Sequence, residues 1–136
     1  MKNNLDFNGV VLIVDDNPET MNMLNSTLSE VGLTVLVALS GEQALTIARL
    51  IKPDIILMDA MMPEMDGFEA CRRIKADAVI AHIPVIFMTG LSASEDMVRG
   101  FDAGGIDYVT KPINMEGLIA RMRGHLTNCR IATGAR

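Results

Sequence analysis

The chain of 136 residues contains no tryptophan, one tyrosine and only two cysteines, Cys71 and Cys129. Without paired CxxC spacing, two cysteines exclude a disulfide framework and a cysteine-based zinc site, so we interpret both as ordinary thiols in a reducing compartment. Basic residues are also few: 12 Lys and Arg stand against 17 Asp and Glu, which gives a net charge of −5. Because binding to nucleic acid phosphates needs clustered positive charge, we expect no nucleic acid partner for this segment.

Long apolar runs are missing as well. No stretch approaches the length of a membrane span, and residues 1–8 lack the basic-then-apolar pattern of a signal peptide. These absences predict a cytoplasmic protein with no membrane partner. The length and the 49% hydrophobic content suit one domain with a sizeable core, which we place at residues 9–126, after an N-terminal extension over 1–8.

Five short runs of apolar and β-branched residues are spaced along the chain. Their apolar residues are nearly continuous rather than alternating with polar ones, which is typical of strands covered on both faces. We therefore predict five strands, over Val10–Val14, Leu33–Ala38, Ile55–Met58, Pro84–Met88 and Ile106–Val109.

Stretches with helical spacing follow each predicted strand. Asn17 precedes Pro18 as a cap before a first-turn proline, and three further starts have the capping-box spacing. Glycines placed where helices should stop complete the pattern. The capping pairs are Ser40 with Gln43, Asp66 with Glu69 and Ser92 with Glu95, and the stop glycines are Gly32, Gly104 and Gly105.

The last helix is predicted from Asn114 to about Ile131 and has a heptad-like apolar stripe. Its first half should pack on the sheet and its remainder should be exposed or frayed, although a dimerising or output-connecting helix would show the same pattern. Residues 127–136 are accordingly interpreted as a helix extension or the start of a linker. The stripe consists of Met115, Ile119, Met122, Leu126 and Cys129.

Strands and helices that alternate five times predict an α/β fold with helices on both faces of a parallel sheet. Among the few topologies that right-handed crossovers allow, we choose the flavodoxin-like, doubly wound (βα)5 fold. Its central five-stranded parallel sheet has the order 2-1-3-4-5. In that order the first and third strands flank the switch point where ligands bind, beyond the carboxyl edge.

Polar residues lie at or just beyond the ends of four predicted strands: Asp15, Asp16, Asp59, Thr89 and Lys111. Since parallel strands end at one edge of a sheet, these side chains should converge. Oxygen ligands at this density suit Mg²⁺, and a carboxylate beside such a cation can act as a nucleophile toward phosphorus. A threonine hydroxyl can donate a hydrogen bond to a phosphoryl oxygen, and a lysine can neutralise its charge.

At these residues the chain resembles the receiver domain of two-component response regulators. The match extends from about Gly9 to Leu126, and several ordered motifs together are far more specific than one. No departure occurs at the five site positions. The motifs are Val14-Asp15-Asp16-Asn17, Ile56-Leu57-Met58-Asp59, Met62-Pro63-Glu64-Met65-Asp66-Gly67, Val85-Ile86-Phe87-Met88-Thr89-Gly90 and Asp107-Tyr108-Val109-Thr110-Lys111-Pro112.

The resemblance implies that Asp59 accepts a phosphoryl group from a histidine kinase or a phosphotransfer protein. Mg²⁺ would be held by the carboxylates of Asp16 and Asp59 and by the backbone carbonyl of Met61, with Asp15 contributing mainly through water. Thr89 and Lys111 would bind the phosphoryl oxygens. Gly67 and Pro112 would have structural roles, and a cis bond before Pro112 is one way to aim Lys111 inward.

The resemblance also implies a switch in which Thr89 moves toward the phosphoryl group and the Tyr108 ring turns inward. The face of the fourth helix, fifth strand and fifth helix would then control an output or form a homodimer. Such a domain is not an enzyme in its own right, since it assists only its own phosphorylation and dephosphorylation. Met61 and Leu91, two positions beyond Asp59 and Thr89, predict a long-lived phosphorylated state.

Two alternatives remain open. A haloacid dehalogenase-type phosphatase uses similar groups, but its Asp-x-Asp motif follows the first strand, whereas here that strand ends Asp15-Asp16. An unphosphorylated, receiver-like binding module would usually lose one of the acids. Neither His82 nor His125 has the context of a phosphodonor, so we interpret both as surface or packing residues.

Overall fold

A computed structural model describes the chain over residues 9–90 and 94–134, with the side chains of residues 9–90 and 97–127. Strands and helices alternate throughout this part of the chain. In it, no helix is long and apolar enough to cross a membrane. The elements are β1 (Gly9–Val14), α1 (Pro18–Glu30), β2 (Leu33–Ala38), α2 (Gly41–Ile51), β3 (Ile55–Asp59), α3 (Gly67–Ala76), β4 (Val85–Thr89), α4 (Ser94–Asp102), β5 (Asp107–Thr110) and α5 (Met115–Gly134).

The five strands form one parallel sheet in the order β2-β1-β3-β4-β5, which confirms the predicted fold and strand order. Two apolar clusters cover its faces. One face packs against α2 and α3, and the other against α1 and α5. The register aligns Asp59 with Met88 and Thr89 with Thr110, so the carboxyl ends of β3, β4 and β5 lie side by side.

The predicted helix starts are confirmed wherever the structure describes them. The Asn17 side chain accepts two N–H groups of the first turn of α1. At α2, the Gln43 N–H donates to Ser40 Oγ, and the Gln43 side chain accepts the N–H of the residue before Ser40. Asp66 accepts an N–H of the first turn of α3. The pair that begins with Ser92 lies outside the described residues.

Left-handed backbone conformations end several helices. Gly32 and Gly104 have φ of 107° and 108°, as their stop positions predict, because a residue without Cβ adopts this conformation at little cost. Gly105 is not left-handed, so that part of the prediction was wrong. Instead, its N–H donates to Gly100 O at 2.9 Å. α2 ends on a left-handed Lys52, with φ 57°, which no residue pattern around Lys52 predicts.

Coverage of both faces was correctly predicted for β3 and β4 but wrong for the two edge strands. In β2, Val37 is 43% exposed, and no residue of β5 is fully buried. An edge strand has a neighbour on one side only, so adjacent helices cover it incompletely. The apolar composition of β2 therefore wrongly predicted that both of its faces are buried.

Several predicted boundaries moved by one residue. β3 and β4 include Asp59 and Thr89 as their last residues, and β4 starts at Val85 rather than at the proline before it, which has no N–H to donate. Along α5, Leu118 is fully buried although the predicted stripe omitted it. Cys129, the last member of that stripe, lies outside the described side chains. The domain boundaries themselves stay a prediction.

Candidate functional site

Three carboxylates and one ammonium group meet at the carboxyl edge of the sheet. Lys111 Nζ lies 3.3 Å from Asp15 Oδ2 and 3.3 Å from Asp59 Oδ1. Oxygens of Asp15, Asp16 and Asp59 lie within 4.8 Å of one another, and this group could hold a metal ion. Asp15 and Asp59 are buried, whereas Asp16 is exposed. The structure thus brings together four of the five predicted strand-end residues by direct distances.

Backbone donors orient the two buried carboxylates. The Asn17 N–H donates to Asp15 Oδ1 at 2.8 Å, and the Met61 N–H donates to Asp59 Oδ1 at 3.3 Å. In each case the donor lies two residues after the acid, as in an Asx turn. These hydrogen bonds hold both carboxylates at the carboxyl edge of the sheet, where β1 and β3 end.

Thr89 is placed between the strand of Asp59 and that of Lys111. Backbone hydrogen bonds connect the strand ends on both sides: Ala60 N–H donates to Met88 O at 2.9 Å, and Lys111 N–H donates to Thr89 O at 2.8 Å. Thr89 is 5% exposed. The peptide bond between Lys111 and Pro112 is cis.

The charges of the site perturb one another. Burial, and then the neighbouring Asp15 carboxylate, raise the pKa of Asp59 to about 6, although Lys111 and the Met61 N–H act in the opposite direction. For Lys111, burial opposes the charged form, but attraction by Asp59 and Asp15 outweighs it and raises the pKa. Asp15 and Asp59 therefore share one ammonium group, Asp16 lies close to both acids, and a cation bound there would relieve the repulsion among the three carboxylates.

The loop between β3 and α3 is held against the backbone of Asp59. The Gly67 N–H donates to Ala60 O at 2.9 Å, and a Cβ on Gly67 would collide with the carbonyl oxygen of Asp59. Only glycine permits this approach. Within the loop, Glu64 has a left-handed backbone with φ 69°. This geometry gives Gly67 a place in the site that the loop motif alone did not explain.

Tyr108 lies beside Thr89 on a small, largely apolar cleft between α4 and β5. The cleft has room for about one water molecule, and its other walls include Phe68, Phe87 and Phe101. The ring of Tyr108 contacts that of Phe101 edge-on, with 6.3 Å between centroids. Tyr108 is half-buried, so its ring sits at the mouth of the cleft.

A polar cluster beside Tyr108 was missed by sequence reasoning. Asp107 accepts hydrogen bonds from Arg121 at 2.8 and 3.0 Å and pairs with His125 Nε2 at 3.0 Å. Burial opposes the charge of Asp107, but His125, the Tyr108 N–H and Arg121 outweigh it and lower the pKa. The i, i+4 spacing of Arg121 and His125 puts them on one face of α5. Only the tertiary structure shows that Asp107 faces them.

Residues 11–123 match the family model of the response regulator receiver domain. Among curated proteins, the chain is 38% identical over 116 residues to the DNA-binding dual master transcriptional regulator RpaA of Synechocystis sp., covering 85% of this chain and 48% of RpaA. It is 42% identical over 113 residues to the response regulator PleD of Caulobacter vibrioides, covering 83% of this chain and 25% of PleD. The chain thus spans about half or less of these relatives.

Solved structures show the same likeness to response regulator proteins. The chemotaxis protein CheY4 of Vibrio cholerae superposes with a TM-score of 0.80 at 30% identity, covering 84% of this chain and 95% of CheY4. The receiver domain of a signal transduction histidine kinase from Syntrophus aciditrophicus superposes with a TM-score of 0.80 at 34% identity, covering 94% of each chain. The chain therefore belongs to the family of response regulator receiver domains of two-component systems.

Proposed function

We propose that Asp59 accepts a phosphoryl group from a phosphohistidine of a histidine kinase or phosphotransfer protein. The observation that carries the proposal is the Asp59 carboxylate itself. It is held at the end of β3, 3.3 Å from the Lys111 ammonium and beside two further acids. A structural acid needs no such surroundings, whereas phosphoryl transfer depends on positioning and charge neutralisation.

Asp59 has the right protonation state for this role. With a pKa of about 6, its carboxylate is largely ionised near pH 7. A carboxylate oxygen attacks phosphorus and a P–O bond forms as the P–N bond to the donor breaks. The electron pair of that bond stays on the imidazole, which takes a proton from solvent. Lys111 neutralises charge on the transferred group, and Thr89 donates a hydrogen bond to one of its oxygens.

Mg²⁺ fits the acid cluster, because hard cations prefer carboxylate oxygens and Mg²⁺ needs few protein ligands. Asp16 and Asp59 would hold it with their carboxylates and Met61 with its backbone carbonyl, while Asp15 acts mainly through water. When bound, the ion supplies positive charge against the repulsion between carboxylates and phosphoryl oxygens. Lys111 and the backbone N–H of Met61 already supply part of that compensation at Asp59.

We further propose that phosphorylation acts through Thr89 and Tyr108 on the face formed by α4, β5 and α5. Both residues line the same cleft, so a shift of Thr89 would change the space available to the Tyr108 ring. That face would control an output or form a homodimer, in a cytoplasmic protein whose segment here binds neither nucleic acid nor membrane. On this proposal the chain is a phosphoacceptor and not an enzyme with its own substrate.

Intact-mass spectrometry after incubation with acetyl phosphate and Mg²⁺ tests the acceptor. We expect one phosphoryl adduct on the wild type and none on Asp59→Asn. Asp102→Asn, a change of an exposed acid on α4, is the matched control and should be phosphorylated like the wild type. An adduct that persists in Asp59→Asn would disprove the assignment. No adduct on the wild type would favour the unphosphorylated binding module.

A further inference from the structure

The described side chains of α4, those of residues 97–102, are mostly exposed. Among residues 97–102, only Gly100 is buried, whereas Val98 is 55% and Phe101 49% exposed. Gly100 has no side chain to bury, and a Cβ there would lie 3.1 Å from a ring carbon of Phe87. At Gly100 the helix backbone thus comes close to the Phe87 ring of β4. Contacts made by its exposed side chains therefore contribute more to holding the helix in place than they would in a well-packed helix.

Arg99 makes such a contact. Its guanidinium carbon lies 4.5 Å from the centroid of the Phe68 ring, and its NH2 atom lies 3.7 Å from Asp66 Oδ2. Phe68 is buried and packs against Phe87, with 5.1 Å between ring centroids. Asp66 caps α3 through its other oxygen. Arg99 therefore joins α4 to the first turn of α3, at the end of the loop that follows Asp59.

A planar guanidinium suits this place. It stacks on the face of an aromatic ring and at the same time presents N–H groups to a carboxylate, which the ammonium group of lysine does less well. The Phe68 ring also lines the cleft beneath α4, together with Thr89 and Tyr108. Arg99 thus holds the helix against the ring that forms a wall of that cleft.

We propose that Arg99 is a positioning residue that fixes α4 over the cleft and so keeps the Tyr108 ring at its mouth. The cleft has room for about one water molecule. The Tyr108 ring is far larger, so it can enter only if walls of the cleft move apart, and α4 supplies one of those walls. Releasing Arg99 from Phe68 and Asp66 frees α4 and lets the ring enter without any phosphoryl group.

This inference concerns the resting protein, so it goes beyond phosphorylation of Asp59 and does not depend on it. The chain provides its own reporter, because Tyr108 is its one tyrosine and tryptophan is absent. Protein grown with 3-fluorotyrosine gives fluorine signals from this position alone. The change in fluorine chemical shift between H2O and D2O measures how exposed the ring is to solvent. The experiment uses no phosphodonor, so the proposal for Arg99 and the proposal for Asp59 can be disproved independently of each other.

Four variants of the full chain separate the contacts. Arg99→Gln removes the charge and the stacking, and Arg99→Lys keeps the charge alone. Asp66→Asn removes the ion pair but keeps the cap on α3, because asparagine caps helices as well as aspartate does. Arg72→Gln is the matched control: the Arg72 side chain is 51% exposed, against 52% for Arg99, and it pairs with Glu69 on its own helix.

In Arg99→Gln we expect a Tyr108 signal with a smaller solvent isotope shift, populated several-fold more than in the wild type. Asp66→Asn should raise the population of this signal by a smaller factor than Arg99→Gln does. Arg99→Lys should give a population between those of the wild type and Arg99→Gln, and Arg72→Gln should match the wild type. The proposal is wrong if the Arg99→Gln spectrum equals that of Arg72→Gln, whether both match the wild type or both differ from it by the same amount. Circular dichroism of each variant establishes that the fold is intact.

Discussion

The Lys111 ammonium lies 3.3 Å from Oδ1 of Asp59 and so connects the end of β5 to the end of β3. The same nitrogen lies 3.3 Å from Asp15 Oδ2, which leaves one ammonium group shared between two buried carboxylates. Lys111 favours the charged form of Asp59, and the two carboxylates favour the charged form of Lys111. Burial nevertheless dominates at Asp59, whose pKa is raised to about 6.

Replacing Lys111 with glutamine should raise the pKa of Asp59 further. The substitution removes an attraction that favours the carboxylate, while burial and repulsion by Asp15 remain. A pH titration of the Asp59 carboxyl carbon by NMR, in Mg²⁺-free buffer, measures the change. Lys52→Gln, at the exposed end of α2, should leave the titration as in the wild type. An unchanged or lower pKa of Asp59 in Lys111→Gln would contradict the charge pairing between Lys111 and Asp59.

Asp59→Asn should stabilise the fold in Mg²⁺-free buffer near neutral pH. Because the folded pKa of about 6 lies above the unfolded value, Asp59 binds more protons in the folded state between about pH 4 and 6, and its contribution to wild-type stability falls as pH rises through that window. A shift of this size corresponds to roughly 3 kcal/mol. Urea unfolding should therefore show the variant more stable at pH 7.5, with the advantage disappearing near pH 4.

For that stability prediction the control is Asp102→Asn, an exposed position where removing a carboxylate should change little. A variant at Asp59 that is less stable than the wild type at every pH would mean that the contacts of the carboxylate outweigh its burial. Both substitutions change an aspartate to an asparagine, so the comparison separates the effect of the buried site from that of losing a carboxylate at the surface.

Gly67→Ala should destabilise the protein by about 1–3 kcal/mol and slow the phosphorylation of Asp59. The added Cβ would collide with the Asp59 carbonyl oxygen, so the β3 end or the loop must shift. Urea unfolding and the rate of adduct formation measure the two effects. Gly124→Ala is the control, because a Cβ there meets no atom within 4 Å, and alanine favours a helix. Equal stability of Gly67→Ala and the wild type would rule out the close approach.

Asp107→Asn should destabilise the protein by about 1 kcal/mol between pH 5 and 7. The variant loses the ionic hydrogen bonds from Arg121 and His125. Because these bonds lower the pKa of Asp107, their contribution is present above the unfolded value and is lost as pH falls through the folded one. Unfolding curves should differ at pH 6 and converge once the pH lies below the folded pKa of Asp107. A difference that does not shrink as the pH falls below 3.8 would assign the effect to packing.

The phosphorylated form should be long-lived, as Met61 predicts by its place two residues after Asp59. The Met61 side chain is 56% exposed, so water reaches it, but an apolar side chain has no group that could activate that water. Leu91, the matching position after Thr89, lies outside the described residues. Met61→Glu should accelerate loss of the adduct several-fold in a mass time course, whereas Met23→Glu on α1 should not. Loss of the wild-type adduct within seconds would overturn the prediction.

Local signals in the sequence were sufficient for the helix starts and for the order of elements. Asn17 and Ser40 act within a few residues of their helices, so a short window contains the whole interaction. Burial of the edge strands was predicted wrongly, because the exposure of Val37 depends on which strand has no outer neighbour. Likewise the pairing of Asp107 with His125 joins two elements whose mutual orientation no local pattern encodes.

The sequence by itself determined that acids, a hydroxyl and a lysine would end neighbouring strands, because strand ends are set by local composition and parallel strands end at one edge. Only the tertiary structure decided that Lys111 reaches both Asp15 and Asp59, that Gly67 touches the Asp59 backbone and that Arg99 stacks on Phe68. Such contacts join residues far apart in the chain. Their distances depend on how helices pack on the sheet, which is a property of the whole fold.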